Sequence, residues 1–268
     1  MTCATGWHQN AVSSGGDLGF SWAAFKTMPD QPPPASHILS FAQTLKGGGV
    51  ERALLRMADG WARAGRRVTL VIGDTGGALA HELPAGVAVR ELGSTAYRAL
   101  FGLPGLVREL APDIIFCPGN HYTGAAFWLR ARLGAACPPI AGKVSNALVR
   151  PDLPRGAGIG YRAWLRRHPR FLDAVVAMTP AMAGGAGGAM GLTPSHVHVI
   201  PNPTPPAPPI PAAPPPPLPE GRFLLGVGRL APQKRWERLI AAIPRLHDPD
   251  VALVILGEGD EGQALGGL

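Results

Sequence analysis

From residue 37 onward, short apolar runs alternate with stretches of helical period, and this alternation constrains the fold more than any other feature. The runs at 67–73 (RVTLVIG), 113–117 (DIIFC), 139–144 and 173–178 (DAVVAM) are almost unbroken by polar residues. A strand with one face in water would alternate apolar and polar side chains, so these strands are covered on both faces. The run at 37–41 opens the series, and 87–92 and 197–200 extend it. Between them, Val50, Ala53, Leu54, Met57, Ala58 and Trp61 form a single helical stripe, with Gly65 placed to end that helix. Residues 98–110, 121–133 and 158–168 are helical as well. The pattern predicts an α/β protein built on a parallel sheet with helices on both faces. One element stays open: 181–190 should be a helix, yet it holds Gly184, Gly185, Gly187 and Gly188, each unfavourable by up to ~1 kcal/mol relative to alanine.

The same grammar restarts near the end of the chain, with strand 222–227 (RFLLGV), loop 228–234, helix 235–246 and strand 251–256 (VALVIL). Twelve of the 30 prolines fall between Pro201 and Pro219, which reads as a semi-rigid polyproline spacer, with a proline-motif ligand as the rival. Four segments result. Residues 1–36 are a disordered extension or a wrongly assigned start, 37–200 an N-terminal domain, 201–221 the linker and 222–268 a partial second domain. One βαβ unit cannot bury both faces of its sheet by itself, so the second domain is expected to be cut short.

Composition excludes several classes. With 46% hydrophobic residues the chain can bury a core. Cys3, Cys117 and Cys137 make neither a disulfide framework nor a metal-ligand pattern, and suit idle thiols in a reducing compartment. No secretory signal is visible, and the uncharged stretch 174–195 is too rich in Gly, Pro and Ala to span a membrane. A cytoplasmic protein is implied. The net charge of +7 is concentrated in part in Arg150, Arg155, Arg162, Arg166, Arg167, His168 and Arg170. No nucleic-acid-binding motif accompanies that cluster. It is a solvated helix face or a contact for an anionic membrane surface or acidic acceptor.

Two glycine-rich turns each join a strand to a helix. In the first, Lys46-Gly47-Gly48-Gly49, glycines let backbone N–H groups approach a phosphate at a helix N-terminus, although tight packing explains such glycines equally well. No Walker motif follows. In the second, Gly226-Val227-Gly228-Arg229-Leu230-Ala231-Pro232-Gln233-Lys234, two cations flank a turn at the carboxyl edge of a parallel strand. Ligands of open α/β sheets collect at that edge. A guanidinium and an ammonium together suit a diphosphate.

The order and spacing of the blocks FAQTLKGGGVERALLRMADGWARAGRRVTLV, PDIIFCPGNHYTGA, VHVIPNP, FLLGVGRLAPQKRWERLIAA and VALVILGEGDE resemble the family-4 glycosyltransferases, over roughly residues 37–268. The resemblance implies a GT-B-like fold of two Rossmann-like domains with parallel sheets, the second incomplete here. It implies transfer of a sugar from a UDP- or GDP-linked donor to a glycan or lipid-linked acceptor, with retention, no cofactor and no metal. Arg229 and Lys234, with Gly228, would hold the donor diphosphate. Gly47, Gly48 and Gly49 would line the cleft between domains. His121 would lie close to the reacting sugar and is the catalytic candidate. Lys46, Ser145 and Asn146 are candidates for acceptor or donor contacts. Stabilising the charge of a departing diphosphate is the main catalytic need, and two fixed cations can meet it. The partners implied are a nucleotide sugar, the acceptor and an anionic membrane met peripherally at its inner face, with no nucleic acid.

The family also carries a Glu-x7-Glu segment beyond the GEG block, which these residues lack. The 268 residues alone are therefore expected to transfer little or no sugar. Two other readings compete. A truncated paralogue could bind an acceptor or partner without catalysis. A nicotinamide oxidoreductase would use Gly226-Val227-Gly228-Arg229-Leu230-Ala231 as G-x-G-x-x-A and Glu258 as ribose ligand. Against the latter, a dinucleotide turn relies on backbone amides rather than on two added cations.

Overall fold

The computed structural model describes residues 35–204 and 218–267, apart from 147, 151, 152, 247 and 249. The expected extension, up to residue 34, and the linker residues 205–217 lie outside the described residues. The chain divides into two compact units, one ending at Thr204 and the other starting at Pro205.

Among its described residues the first unit carries seven strands: β1 (His37–Thr44), β2 (Arg67–Asp74), β3 (Ala88–Glu91), β4 (Ile114–Cys117), β5 (Ile140–Val144), β6 (Ala174–Ala177) and β7 (Val197–Val199). They form one parallel sheet in the order β3-β2-β1-β4-β5-β6-β7. The chain leaves β1 toward one side, then returns to place β4 on the other, so β1 and β4 flank the topological switch point. Leu39, Phe41, Leu70, Val71, Ile72, Ile115 and Ile140 are fully buried, as unbroken apolar strands require.

Helix α1 (Gly49–Arg63) packs its stripe onto this sheet. Ala53, Leu54, Leu55 and Ala58 are buried, while Val50, Met57 and Trp61 pack against the core from its margin. Trp61 meets Phe116 edge to face at 5.1 Å. The remaining helices of this unit are α2 (Leu103–Leu110), α3 (Thr123–Leu133), α4 (Arg155–Leu165) and α5 (Pro180–Met190). The helix expected over 98–110 is a 3₁₀ turn over Tyr97–Gly102 followed by α2. Pro104 lies in the first turn of α2, where its missing N–H is harmless. The glycine-rich 181–190 segment is helical. Thr179 caps it by accepting the Met182 N–H at 3.2 Å, Pro180 starts it, and Ala186 and Met190 bury its inner face.

Carboxylates fix the amino edge of the sheet. Asp113 accepts hydrogen bonds from the amides of Ser36 and His37 and from Ser36 Oγ at 2.6–2.9 Å, and these bonds hold its pKa below the usual carboxylate value. Asp173 accepts a hydrogen bond from Ile140 N at 2.7 Å and pairs with Arg130. The acids that precede strands thus anchor the end of the sheet remote from its carboxyl edge.

The second unit holds β8 (Phe223–Val227), α6 (Trp236–Ala242), β9 (Ala252–Leu256) and a short α7 (Gly262–Leu265). Strands β8 and β9 pair in parallel, Leu225 beside Val254 and Val227 beside Leu256. On that face Leu225 is 52% and Val227 70% exposed. Trp236 covers the opposite face against Gly226. Pro244 limits α6, and a 3₁₀ turn over Ile243–Arg245 replaces the rest of the helix expected to residue 246.

Candidate active site

At the carboxyl edge of the first sheet, the ends of β1, β4 and β5 bring most of the expected residues together. β4 ends at Cys117, and the following turn holds Asn120 and His121. His121 is exposed, and its Nε2–H donates to Gln43 Oε1 at 3.2 Å. Gln43 is itself fixed, since its amide donates to the Thr95 carbonyl at 2.6 Å. Tyr97 donates to the His121 carbonyl at 3.1 Å and accepts from Ala125 N, and both Tyr97 and Tyr122 lie edge-on to the imidazole. The histidine is therefore oriented on all sides while its ring stays open to solvent.

Asn120 ties this turn to the loop after β5. Its Oδ1 accepts from Ser145 N at 3.1 Å, its Nδ2 donates to the Asn146 carbonyl at 3.3 Å, and its own N–H meets Ser145 Oγ at 3.4 Å. A Cβ at Gly119 would lie 2.8 Å from Ser145 Oγ, so only glycine lets the two loops approach. Sequence reasoning missed Asn120, Gln43, Tyr97 and Tyr122. The PGNHYT block contains two of them, but their roles depend on partners far away in sequence. The cluster presents neutral donors and acceptors, suited to the hydroxyls of a sugar.

The first glycine turn is built around a carboxylate of the protein itself. Gly47 and Gly48 have φ of +123° and +158°, and a Cβ at Gly48 would fall 2.3 Å from Glu51 Oε2. Glu51 sits in the first turn of α1, where acids are favoured, and its Oε1 accepts from the Tyr122 hydroxyl at 2.8 Å. A phosphate at this helix N-terminus would have to compete with Glu51. Of the three glycines only Gly48 would set a Cβ against that side chain; Gly47 and Gly49 have open space where a Cβ would stand. Lys46 is exposed beside it, where Leu45 O accepts from Leu79 N at 2.9 Å.

The second glycine turn leaves β8. Trp236 requires glycine at 226, where a Cβ would lie 2.7 Å from its ring; a Cβ at Gly228 would press on the same ring at 3.3 Å. The same indole donates to the Arg229 carbonyl at 2.8 Å. Lys234 returns over the turn, its Nζ 3.9 Å from the position of a Gly228 Cβ. Arg229 and Lys234 are both exposed, and among the described residues neither is ion-paired. The loop after β9 closes the other side, with Glu258 O accepting from Leu230 N at 2.8 Å.

In the basic cluster, Arg150, Arg155, Arg162, Arg166, Arg167 and Arg170 are exposed, as are Val149 and Ile159. His168 departs from them: it is 2% exposed, packed against Trp164 and Phe171, with Nδ1 3.0 Å from the Trp164 carbonyl. The 3₁₀ turn at His168–Arg170 rotates it inward. Among the described residues no helix is long and apolar enough to cross a membrane. Cys117 and Cys137 are buried free thiols, and burial pushes the Cys117 pKa up to about 12.

Residues 48–203 match the family model of the glycosyl transferase 4-like domain, and the chain belongs to that family. Its fold is the Rossmann-like α/β fold of GT-B glycosyltransferases. The structure is similar to that of Anabaena HepE in complex with UDP-glucose, at 18% identity and TM-score 0.57, over 83% of this chain and 60% of that one. It is also similar to an S. aureus TarM mutant in complex with UDP and alpha-GlcNAc-glycerol, at 10% identity and TM-score 0.57, over 87% and 74%. A putative UDP-N-acetylglucosamine 2-epimerase from Listeria monocytogenes shares the fold at 13% identity and TM-score 0.51, over 86% and 64%. The chain spans 60–64% of the length of the HepE structures. A search by sequence finds no match among curated proteins. Family membership sets the nicotinamide reading aside.

Proposed function

We propose that this protein transfers a sugar from a nucleotide-diphosphate donor to a glycan or lipid-linked acceptor, with retention and without a bound metal. The observation that carries the reading is the second glycine turn, where Arg229 and Lys234 stand at the carboxyl edge of β8 and, among the described residues, have no anionic partner. Two unneutralised cations beside a Gly turn suit a pyrophosphate, whose charge grows as the sugar leaves. Among UDP and GDP donors, UDP is favoured by the UDP-glucose in the HepE structure and the UDP in that of TarM. His121 would contact the reacting sugar, and Ser145 and Asn146, with Lys46, would hold hydroxyls of donor or acceptor.

The test is binding of the nucleotide, which reads Arg229 and Lys234 directly. UDP titrated into the purified chain in the presence of EDTA should release heat, and Arg229→Ala and Lys234→Ala should each weaken it by roughly tenfold or more. Failure of UDP and GDP to bind, or binding that survives both substitutions, would overturn the reading.

The exposed arginines of α4 and its flanks, beside Val149 and Ile159, support a peripheral contact with an anionic cytoplasmic membrane face. Neutralising Arg162, Arg166 and Arg167 together should abolish co-sedimentation with anionic vesicles. Unchanged sedimentation would remove the membrane from the proposal.

A further inference from the structure

Lys143 lies in the apolar strand β5 and is 3% exposed, yet among the described residues no hydrogen bond or ion pair holds its ammonium. It lines a cavity of about 30 Å³ with Asn120, Thr123, Tyr161 and His168, and among the described residues no Asp or Glu lines that cavity. Burial alone depresses the lysine's pKa below its ordinary value. Burial also holds Tyr161 protonated and His168 neutral at pH 7, so among the described lining residues Lys143 is the one whose charged form a bound anion would stabilise. Taking an ammonium out of water without a counter-charge is strongly unfavourable, and a methionine would fill the same space without that cost.

The surroundings favour an anion. The cavity shares Leu148, Tyr161 and Leu165 with a larger groove of about 660 Å³, whose lining includes Arg162 and Arg166 and, among the described residues, no acid. Asn120, which lines the cavity, is the residue that pins Ser145 and Asn146. The cavity therefore adjoins the sugar-facing cluster on one side and a basic groove on the other.

We propose that the Lys143 cavity is a subsite for the carboxylate of an acidic sugar carried by the acceptor, a proposal that rests on the transferase reading above. A cavity of about 30 Å³ holds roughly two waters, the space of the two oxygens of a planar carboxylate. A tetrahedral phosphate needs four oxygen positions. The arginines of the groove would draw the acid in, and Lys143 would fix its end.

The experiment titrates the full chain with glucuronate against glucose, and with acetate against acetamide, at matched ionic strength. Glucuronate and acetate should raise the melting temperature, glucose and acetamide should not, and Lys143→Met should weaken glucuronate roughly tenfold or more. An equal response to the neutral analogue, or an increment that survives Lys143→Met, would overturn the proposal. Inorganic phosphate acting as well as glucuronate would overturn the carboxylate assignment. Should Lys143→Met fail to fold, the wild-type ¹⁵N-lysine spectrum decides: the Lys143 signal must move with acetate and stay with acetamide. UDP binding is read separately on Arg229 and Lys234, so either idea can fail while the other stands.

Discussion

The Tyr122 hydroxyl donates to Glu51 Oε1 at 2.8 Å and accepts from the backbone N–H of Gln43 at 3.1 Å. One side chain thereby joins the turn after β4, the first turn of α1 and the end of β1, the three segments that flank the switch point. Tyr122 is 1% exposed and packs edge-on to Phe41 at 5.9 Å. Burial, with the Glu51 carboxylate adding to it, raises its pKa, so the phenol stays a donor.

Replacing Tyr122 by Phe leaves the ring but strands the Gln43 amide and frees Glu51. Leaving a buried donor unpaired costs about 1–3 kcal/mol. At about 2–4 °C per kcal/mol for a domain of this size, calorimetry should record a fall of several degrees in Tm. An unchanged Tm would mean that water replaces the hydroxyl without loss.

Helix α5 should respond in the opposite direction. Gly184 and Gly185 have open space where a Cβ would stand. Neither has a positive φ. Alanine at each should stabilise the first unit by about 0.5–1 kcal/mol. A loss of stability in either variant would show that close backbone approach, rather than drift, keeps the glycines there.

Acid sensitivity should trace to two buried histidines. Burial lowers the pKa of both His37 and His168 below 6.5, with Arg67 adding to the effect at His37. As pH falls through 6.5, the unfolded chain takes protons that the native state refuses, so stability declines. Tm should therefore drop between about pH 7 and about pH 5, and His168→Phe should flatten part of that slope. The lowered pKa of Asp113 acts in a different window, withdrawing stability only as pH falls below its ordinary value of 3.8. A slope identical in wild type and His168→Phe would assign the acid loss elsewhere.

The strands were legible because burial on both faces writes itself into unbroken apolar runs. Helix ends were less so: Pro244 converts the end of an expected helix to a 3₁₀ turn through local sterics that the apolar period does not register. The outcome for 181–190 hinged on a cap at Thr179 and on two buried positions, against four glycines. In the site, His121 and the two glycine turns stand out in the sequence, but their supports do not. Gln43 and Glu51 lie 78 and 71 residues from the side chains they hold. Lys143 was hidden inside an apolar strand, and His168 was grouped with surface arginines until its turn showed it facing inward.

Gly257 offers the sharpest test of the second glycine turn. A Cβ there would fall 1.8 Å from the Gly228 carbonyl oxygen, a backbone atom that cannot swing aside. Gly228 N donates to Leu256 O at 3.0 Å, and Leu230 N to Glu258 O, so the loop bearing Arg229 is laced to the loop bearing Gly257. Gly257→Ala must part them, carrying Arg229 away from its place over β8. UDP affinity should fall by roughly tenfold or more, a loss of about 1.4 kcal/mol, with the far larger first unit still melting as in wild type. If calorimetry finds UDP bound as tightly by Gly257→Ala, the position of Arg229 is not what the nucleotide reads, and Lys234 alone would have to carry the diphosphate.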